Sequence, residues 1–104
     1  MDLLPEFFAA VTSFQWDAGN ADKNWRRHRV TQAEAEEVFF NRPVVVADDE
    51  SHSDDETRYF LLGFTDRGRR LSIVFTIRGA FVRVISARNM TRRERTHYDE
   101  VTSS

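Results

Sequence analysis

Apolar and polar positions alternate most cleanly from Leu71 to Arg78, where Leu71, Ile73, Phe75 and Ile77 are separated by Ser72, Val74, Thr76 and Arg78. A period of two predicts a strand with one strongly apolar face. Gly79 offers the positive φ that a short hairpin turn needs, and Phe81 to Ala87 runs back as a second strand. Thr91 then opens a helix over about 92–100, with Glu94 three residues on to complete a capping box.

The first half switches to helical spacing. Phe14-Gln15-Trp16 reads as a short strand, and Asp17 as the N-cap of a helix running to about His28. Ala18, Ala21, Trp25 and His28 fall on one stripe of that helix. Thr31 and Glu34 form a second capping box, with Val30 and Ala35 placed for a hydrophobic staple. This second helix, about 32–41, is expected to bury Ala35, Val38 and Phe39 before Pro43 ends it. Val44 to Ala47 and Tyr59 to Phe64 read as strands, separated by the acidic stretch 48–56. Asp66-Arg67-Gly68 is the turn into Leu71.

The order is β-α-α-β-β-β-β-α. Short loops between the last four strands predict an antiparallel meander with the helices packed on one face, an α+β domain. The domain spans 14–100. Residues 1–13 precede it as an extension, in which Pro5 to Val11 suits either a short helix or a segment that meets a partner. Residues 101–104 are expected to fray.

Composition adds bounds. The 104 residues suffice for one core, and 40% apolar with 31% charged content fits a soluble protein. The absence of cysteine rules out disulfides and thiolate chemistry and is compatible with a cytoplasmic location. No apolar run approaches a membrane span, and the opening MDLLPEFFAAV lacks the basic start of a secretory signal. The net charge of −2 hides a segregation: between Thr57 and Arg95 only Asp66 and Glu94 oppose ten arginines. A neutral protein can therefore carry a basic, phosphate-seeking face.

His28, flanked by Arg26, Arg27 and Arg29, suits a general acid or base, or a histidine that complements the helix dipole. Arg83 and Arg88 have opposite parity on the last strand, so a regular strand sends them to opposite faces unless a bulge intervenes. Arg88, at the strand end, is the better phosphate ligand; the alternative is an ion pair with Glu94 or Glu37. The stretch DDESHSDDE with His52 lacks the spacing of a calcium loop and a second histidine at helical spacing. It reads as a solvated loop, and no metal is expected. Ser53, Ser86 and Thr91 sit in no nucleophile elbow, and no glycine-rich phosphate loop or other cofactor motif is present.

Taken in order, Phe14-Gln15-Trp16-Asp17, Asn24-Trp25-Arg26-Arg27-His28-Arg29-Val30 and Glu36-Glu37-Val38-Phe39 resemble the opening of the BrnT family. Asp48 to Ser53, Glu56-Thr57-Arg58 and Gly63 resemble its middle. Arg83-Val84-Ile85-Ser86-Ala87-Arg88, with Glu94 and Tyr98, resembles its close. The resemblance implies a RelE-like fold and a metal-independent ribonuclease toxin of a type II toxin–antitoxin pair, without cofactor. Its partners would be an RNA substrate and a small antitoxin, with operator DNA met only through that antitoxin and no membrane. By position, Arg88, His28 and Arg27 are the catalytic candidates and Arg83 and Tyr98 match too; with Lys23, one turn beyond Asn20, and Arg92 of the arginine-rich close, these two are the candidates for RNA contact. Arg27 stands where the family usually has lysine, and two positions depart further: Asn20 also where the family has lysine, and Arg29 where it has glycine. Those departures motivate a second reading, a catalytically silent antitoxin-binding corepressor. A general RNA-binding domain is the third.

Overall fold

The computed structural model describes residues 13–48 and 57–103. The expectations for the extension, for a helix within Pro5–Val11 and for the acidic loop with His52 and Ser53 lie outside these residues. The described elements are β1 (Ser13–Gln15), α1 (Ala18–His28), α2 (Gln32–Phe40), β2 (Val45–Asp48), β3 (Arg58–Phe64), β4 (Arg70–Arg78), β5 (Phe81–Asn89) and α3 (Arg92–Thr102). The order matches the pattern read from the sequence, and α3 continues two residues beyond Glu100.

All three helix starts are capping boxes. Thr31 with Glu34 and Thr91 with Glu94 are the two expected pairs. Asp17 forms the third with Asn20, whose amide oxygen accepts from the Asp17 N–H at 2.8 Å. Each box satisfies two N-terminal N–H groups that the helix itself leaves unpaired.

The strands form one sheet in the order β1-β5-β4-β3-β2. The last four are the expected antiparallel meander, but β1 pairs parallel to β5, Ser13 with Phe81 and Gln15 with Arg83. The sheet is therefore mixed, because α1 and α2 carry the chain across and return it at the far edge. A correction also applies to the layers. Leu61 and Leu62 are adjacent on β3 and so face opposite ways. Leu61 joins Val38, Phe39, Ile73, Phe75 and Val84 in the main core, while Leu62 joins Met90 and Tyr98 in a second cluster. Helix α2 covers one face and α3 the other, not a single face. The close approach of α2 depends on Gly63, where a Cβ would lie 2.7 Å from a Val38 methyl.

Helix α1 meets the sheet differently from the stripe expected of Ala18, Ala21, Trp25 and His28. Its buried residues are Asn20 and Asn24, and Trp25 is 46% exposed. The reason is the edge of β5. Strand β1 ends opposite Arg83, leaving the later backbone of β5 without a strand partner on that side. The Asn20 amide donates to the Val84 carbonyl at 3.0 Å, and the Ala87 N–H donates to Asn24 Oδ1 at 3.0 Å. Two side chains thus take over the pairing where the strand stops, as buried backbone polar groups require.

Candidate functional site: a basic cleft at the end of β5

The β4–β5 register slips by one residue: Phe75 pairs with Val84, but Val74 pairs with Ser86. Ile85 is the extra residue of a bulge. The slip changes the parity of everything after it. Arg83 lies opposite Thr76 and Arg88 opposite Ser72, so both project to the same sheet face. Sharing a face does not bring them into one site. Arg83 is held by Asp17 at the N-terminus of α1, Nη2 to Oδ2 at 2.9 Å, while Arg88 lies at its C-terminal end. An eleven-residue helix separates those ends by roughly 16 Å.

At that C-terminal end is a cleft of about 370 Å³ lined by Arg27, His28, Arg29, Arg88, Asn89 and Thr91. Three elements converge there: the last turn of α1, the end of β5 and the cap of α3. Arg88, His28 and Arg27 come together in it. Lys23, one turn earlier on α1, contributes positive field at His28 without lining the cleft. Arg92 instead lines a separate groove along α3 with Arg93 and His97. Tyr98 is buried in the second core cluster and donates its hydroxyl to the Pro43 carbonyl at 2.6 Å.

Arg88 is fixed end-on by Glu94, Nη1 to Oε1 at 2.8 Å and Nη2 to Oε2 at 3.0 Å, and Nη1 also donates to the Asn89 carbonyl. The alternative reading of Arg88, an ion pair with Glu94, is therefore what forms. It engages one edge of the guanidinium. The other edge, Nε–H and the second Nη2 hydrogen, has no hydrogen-bond partner among the described residues. A planar fork oriented by a carboxylate and open on its second edge suits bidentate capture of a phosphate. The Glu94 hydrogen bonds hold the Arg88 pKa above its ordinary value against the opposing effect of burial. Burial pushes the Glu94 carboxyl up, but hydrogen bonds from Arg88 and the Thr91 backbone outweigh it and leave the pKa lowered.

His28 is partly buried, and its pKa is lowered from 6.5, first by desolvation and then by the charges of Arg88, Arg27 and Lys23. The imidazole is thus neutral near pH 7 and able to accept a proton. Its backbone is anchored by a residue that the sequence reading passed over. Arg69 donates to the carbonyls of His28 and Arg29 at 2.9 and 2.8 Å, to Glu34 at 3.1 Å and to Asn89 at 2.8 Å. One guanidinium thereby ties the end of α1 to the start of α2 and the end of β5. No local signal marks Arg69, because its partners are 20 to 41 residues away.

Arg29 ends α1 in the left-handed conformation, φ 54° and ψ 41°. The turn lets the Val30 N–H reach back to the Asn24 carbonyl at 3.3 Å. Arginine therefore makes the helix stop that glycine makes at lower cost. At the other departure, Asn20 is 6% exposed and engaged in the capping box and with β5, so it acts as a structural residue.

The family model described as "Ribonuclease toxin, BrnT, of type II toxin-antitoxin system" matches residues 16–94. Among solved structures, the chain is similar to the Brucella abortus ribonuclease toxin BrnT, with a TM-score of 0.58 and 16% identity. That match covers 79% of this chain and all of the other. No curated protein matches. The matched span contains α1, the β4–β5 hairpin and the cleft between them, and on it the chain belongs to the BrnT family of ribonuclease toxins of type II toxin–antitoxin systems.

Proposed function

We propose that the chain is an endoribonuclease toxin that cuts RNA without a metal and acts at the basic cleft. The observation that carries this reading is the convergence of His28, Arg27 and Arg88 from two elements on one open cleft. His28 takes the proton of a ribose 2′-hydroxyl as that oxygen attacks the adjacent phosphorus. The bond from phosphorus to the 5′-oxygen breaks, leaving a 2′,3′-cyclic phosphate and a 5′-hydroxyl protonated from solvent. Arg88 and Arg27 bear on the phosphate oxygens and offset the charge that builds on them. A bound phosphate also offsets the arginine field that depresses His28, so the imidazole becomes a better proton acceptor once substrate is in place. Lys23 and Arg92 extend the positive surface along which RNA would lie, while Arg83 is neutralised by Asp17.

The cellular setting follows from the family. A cognate antitoxin with a DNA-binding part would neutralise the toxin in the cytoplasm, and RNA cleavage would stop translation. Among the described residues no helix is long and apolar enough to cross a membrane.

The test is cleavage of RNA by purified protein, with and without chelator, by wild type and by His28→Ala and Arg88→Ala. Cleavage that survives chelation and falls at least a hundredfold in both variants is expected. Full activity of Arg88→Ala would remove the assignment. The structural role of Asn20, where the family has lysine, favours a second reading, an antitoxin-binding corepressor without catalysis. Folded wild-type protein that binds antitoxin and operator but cleaves no RNA at any dose would establish it.

A further inference from the structure

Arg29 lines the cleft, and Trp25 lies beside it on the exposed side of α1. A tryptophan left 46% exposed, with its neighbours on the buried face of α1 being asparagines, contributes little to either core cluster. The Arg29 guanidinium lies over the indole, 5.1 Å from the ring centroid. Arg29 also lines the cleft with His28 and Arg88. It does so from a left-handed backbone that costs a non-glycine residue about 1 kcal/mol. Trp25 also lines a second open groove of about 450 Å³, with Ala21, Val30, Asp22, Thr31 and Gln32. The two grooves therefore meet at one stacked pair. One is basic and suited to phosphate. The other has an aromatic wall, an apolar floor and amide, hydroxyl and carboxylate groups at its edge.

We propose that this second groove is a nucleobase subsite, in which an unpaired base next to the phosphate held in the cleft stacks on the Trp25 indole. Single-stranded RNA is held this way in general: cations track the backbone while aromatic faces take the bases. Continuity through Arg29 with the phosphate cleft argues for an RNA base as occupant. Gln32, Thr31 and Asp22 are the groups available to read its edge. The proposal rests on the ribonuclease reading, and its test separates the two.

The probe is a short 2′-O-methyl RNA oligonucleotide, which cannot be cleaved, and the same oligonucleotide with one base removed. Binding is followed by tryptophan fluorescence and, independently, by anisotropy of a label on the oligonucleotide. The second tryptophan, Trp16, is partly buried with its Nε1–H on Glu36 at 2.7 Å, so quenching reports on Trp25. Wild type is expected to bind with quenching, which Trp25→Phe abolishes. Trp25→Ala is expected to bind roughly 5- to 150-fold more weakly, the range for loss of one stacked base. Removal of the base should cost wild type a similar factor and Trp25→Ala nothing more. Equal binding by wild type and Trp25→Ala would overturn the subsite while leaving the ribonuclease reading intact. So would a Trp25→Ala variant that loses antitoxin binding alone, which would make the indole a protein contact. A wild type that binds no oligonucleotide would overturn both.

Discussion

Arg69 Nη2 donates to the His28 carbonyl at 2.9 Å, so the backbone of the candidate general base is held by a residue in the turn before β4. The same guanidinium holds the Arg29 carbonyl, Glu34 and Asn89. Its planar shape matters, because lysine offers one nitrogen where arginine offers three. Arg69→Met is expected to cost about 2–3 kcal/mol, since it strips charge-assisted hydrogen bonds and leaves Glu34 and two carbonyls without them. Arg69→Lys should recover only part of that. Urea unfolding checks the magnitude, and an Arg69→Lys variant as stable as wild type would show that the fork geometry is unimportant.

Asn24 carries the junction between α1 and β5. It is 2% exposed, and its Oδ1 accepts from the Ala87 N–H while its Nδ2 donates to the Asn20 carbonyl. Asn24→Ala orphans a buried N–H and is expected to destabilise by about 1–3 kcal/mol. Asn24→Leu fills the volume but not the hydrogen bond, and should be no better. Chemical denaturation of the two variants measures whether the polar pairing, rather than packing, holds α1 to the sheet.

Replacing Asn20 by the lysine usual in the family is expected to harm the fold rather than improve a site. The ammonium would enter a position 6% exposed, lose the capping-box acceptor for the Asp17 N–H and lose the amide donated to Val84. Burying an unpaired charge and breaking these bonds should cost about 3 kcal/mol or more. A thermal melt of Asn20→Lys checks this, and a variant as stable as wild type would show that the position tolerates the family's residue.

Acid stability should follow the capping carboxylates. Asp17 is lowered from 3.8 chiefly by its hydrogen bond with the Asn20 backbone, then by Arg83. For Glu34 and Glu94, burial raises the pKa, but hydrogen bonds from backbone N–H groups and from Arg69 or Arg88 outweigh it and leave both lowered from 4.5. A carboxylate with a depressed folded pKa contributes stability that is present above its unfolded pKa and lost as pH falls through the folded one. The main loss is therefore expected below about pH 4.5. His28 acts earlier: with its folded pKa below 6.5, the unfolded chain takes the proton first, so a shallower loss begins as pH falls past 6.5. Urea midpoints measured from pH 7 to pH 3 should show both steps, and His28→Gln should remove the earlier one.

The same depression of His28 sets the pH dependence of cleavage. A base must be unprotonated in the free enzyme, so kcat/KM should rise with pH through an inflection below 6.5 and then level off. Arg88→Gln removes one of the charges that lowers the imidazole, so its residual activity should level off at a higher pH. A pH–rate profile of Arg88→Gln unmoved from wild type would show that the arginine does not act on His28.

Much of the architecture can be read from short-range chemistry. Thr31 with Glu34 and Thr91 with Glu94 announce their helices, because a capping box is complete within four residues. Gly79, at φ 60°, lies at the turn the alternation demands. The buried face of α1 escapes such a reading, because a hydrophobic stripe points to Trp25 while the sheet edge calls for the amides of Asn20 and Asn24. The parity argument for Arg83 and Arg88 anticipates the need for a bulge but cannot locate Ile85, since a register slip depends on how β4 and β5 pair.

By itself the sequence determined the elements, their order and the N-caps Asp17, Thr31 and Thr91, all of which rest on spacing and residue type within one turn or strand. Only the tertiary structure decided that β1 closes the sheet in parallel, that α3 lies across from α2, and that Arg83 is tied to Asp17 while Arg88 faces the cleft. Only it revealed Arg69 as the clamp on His28. These depend on contacts between residues far apart in the chain, and no local pattern encodes which distant backbone group is left without a partner.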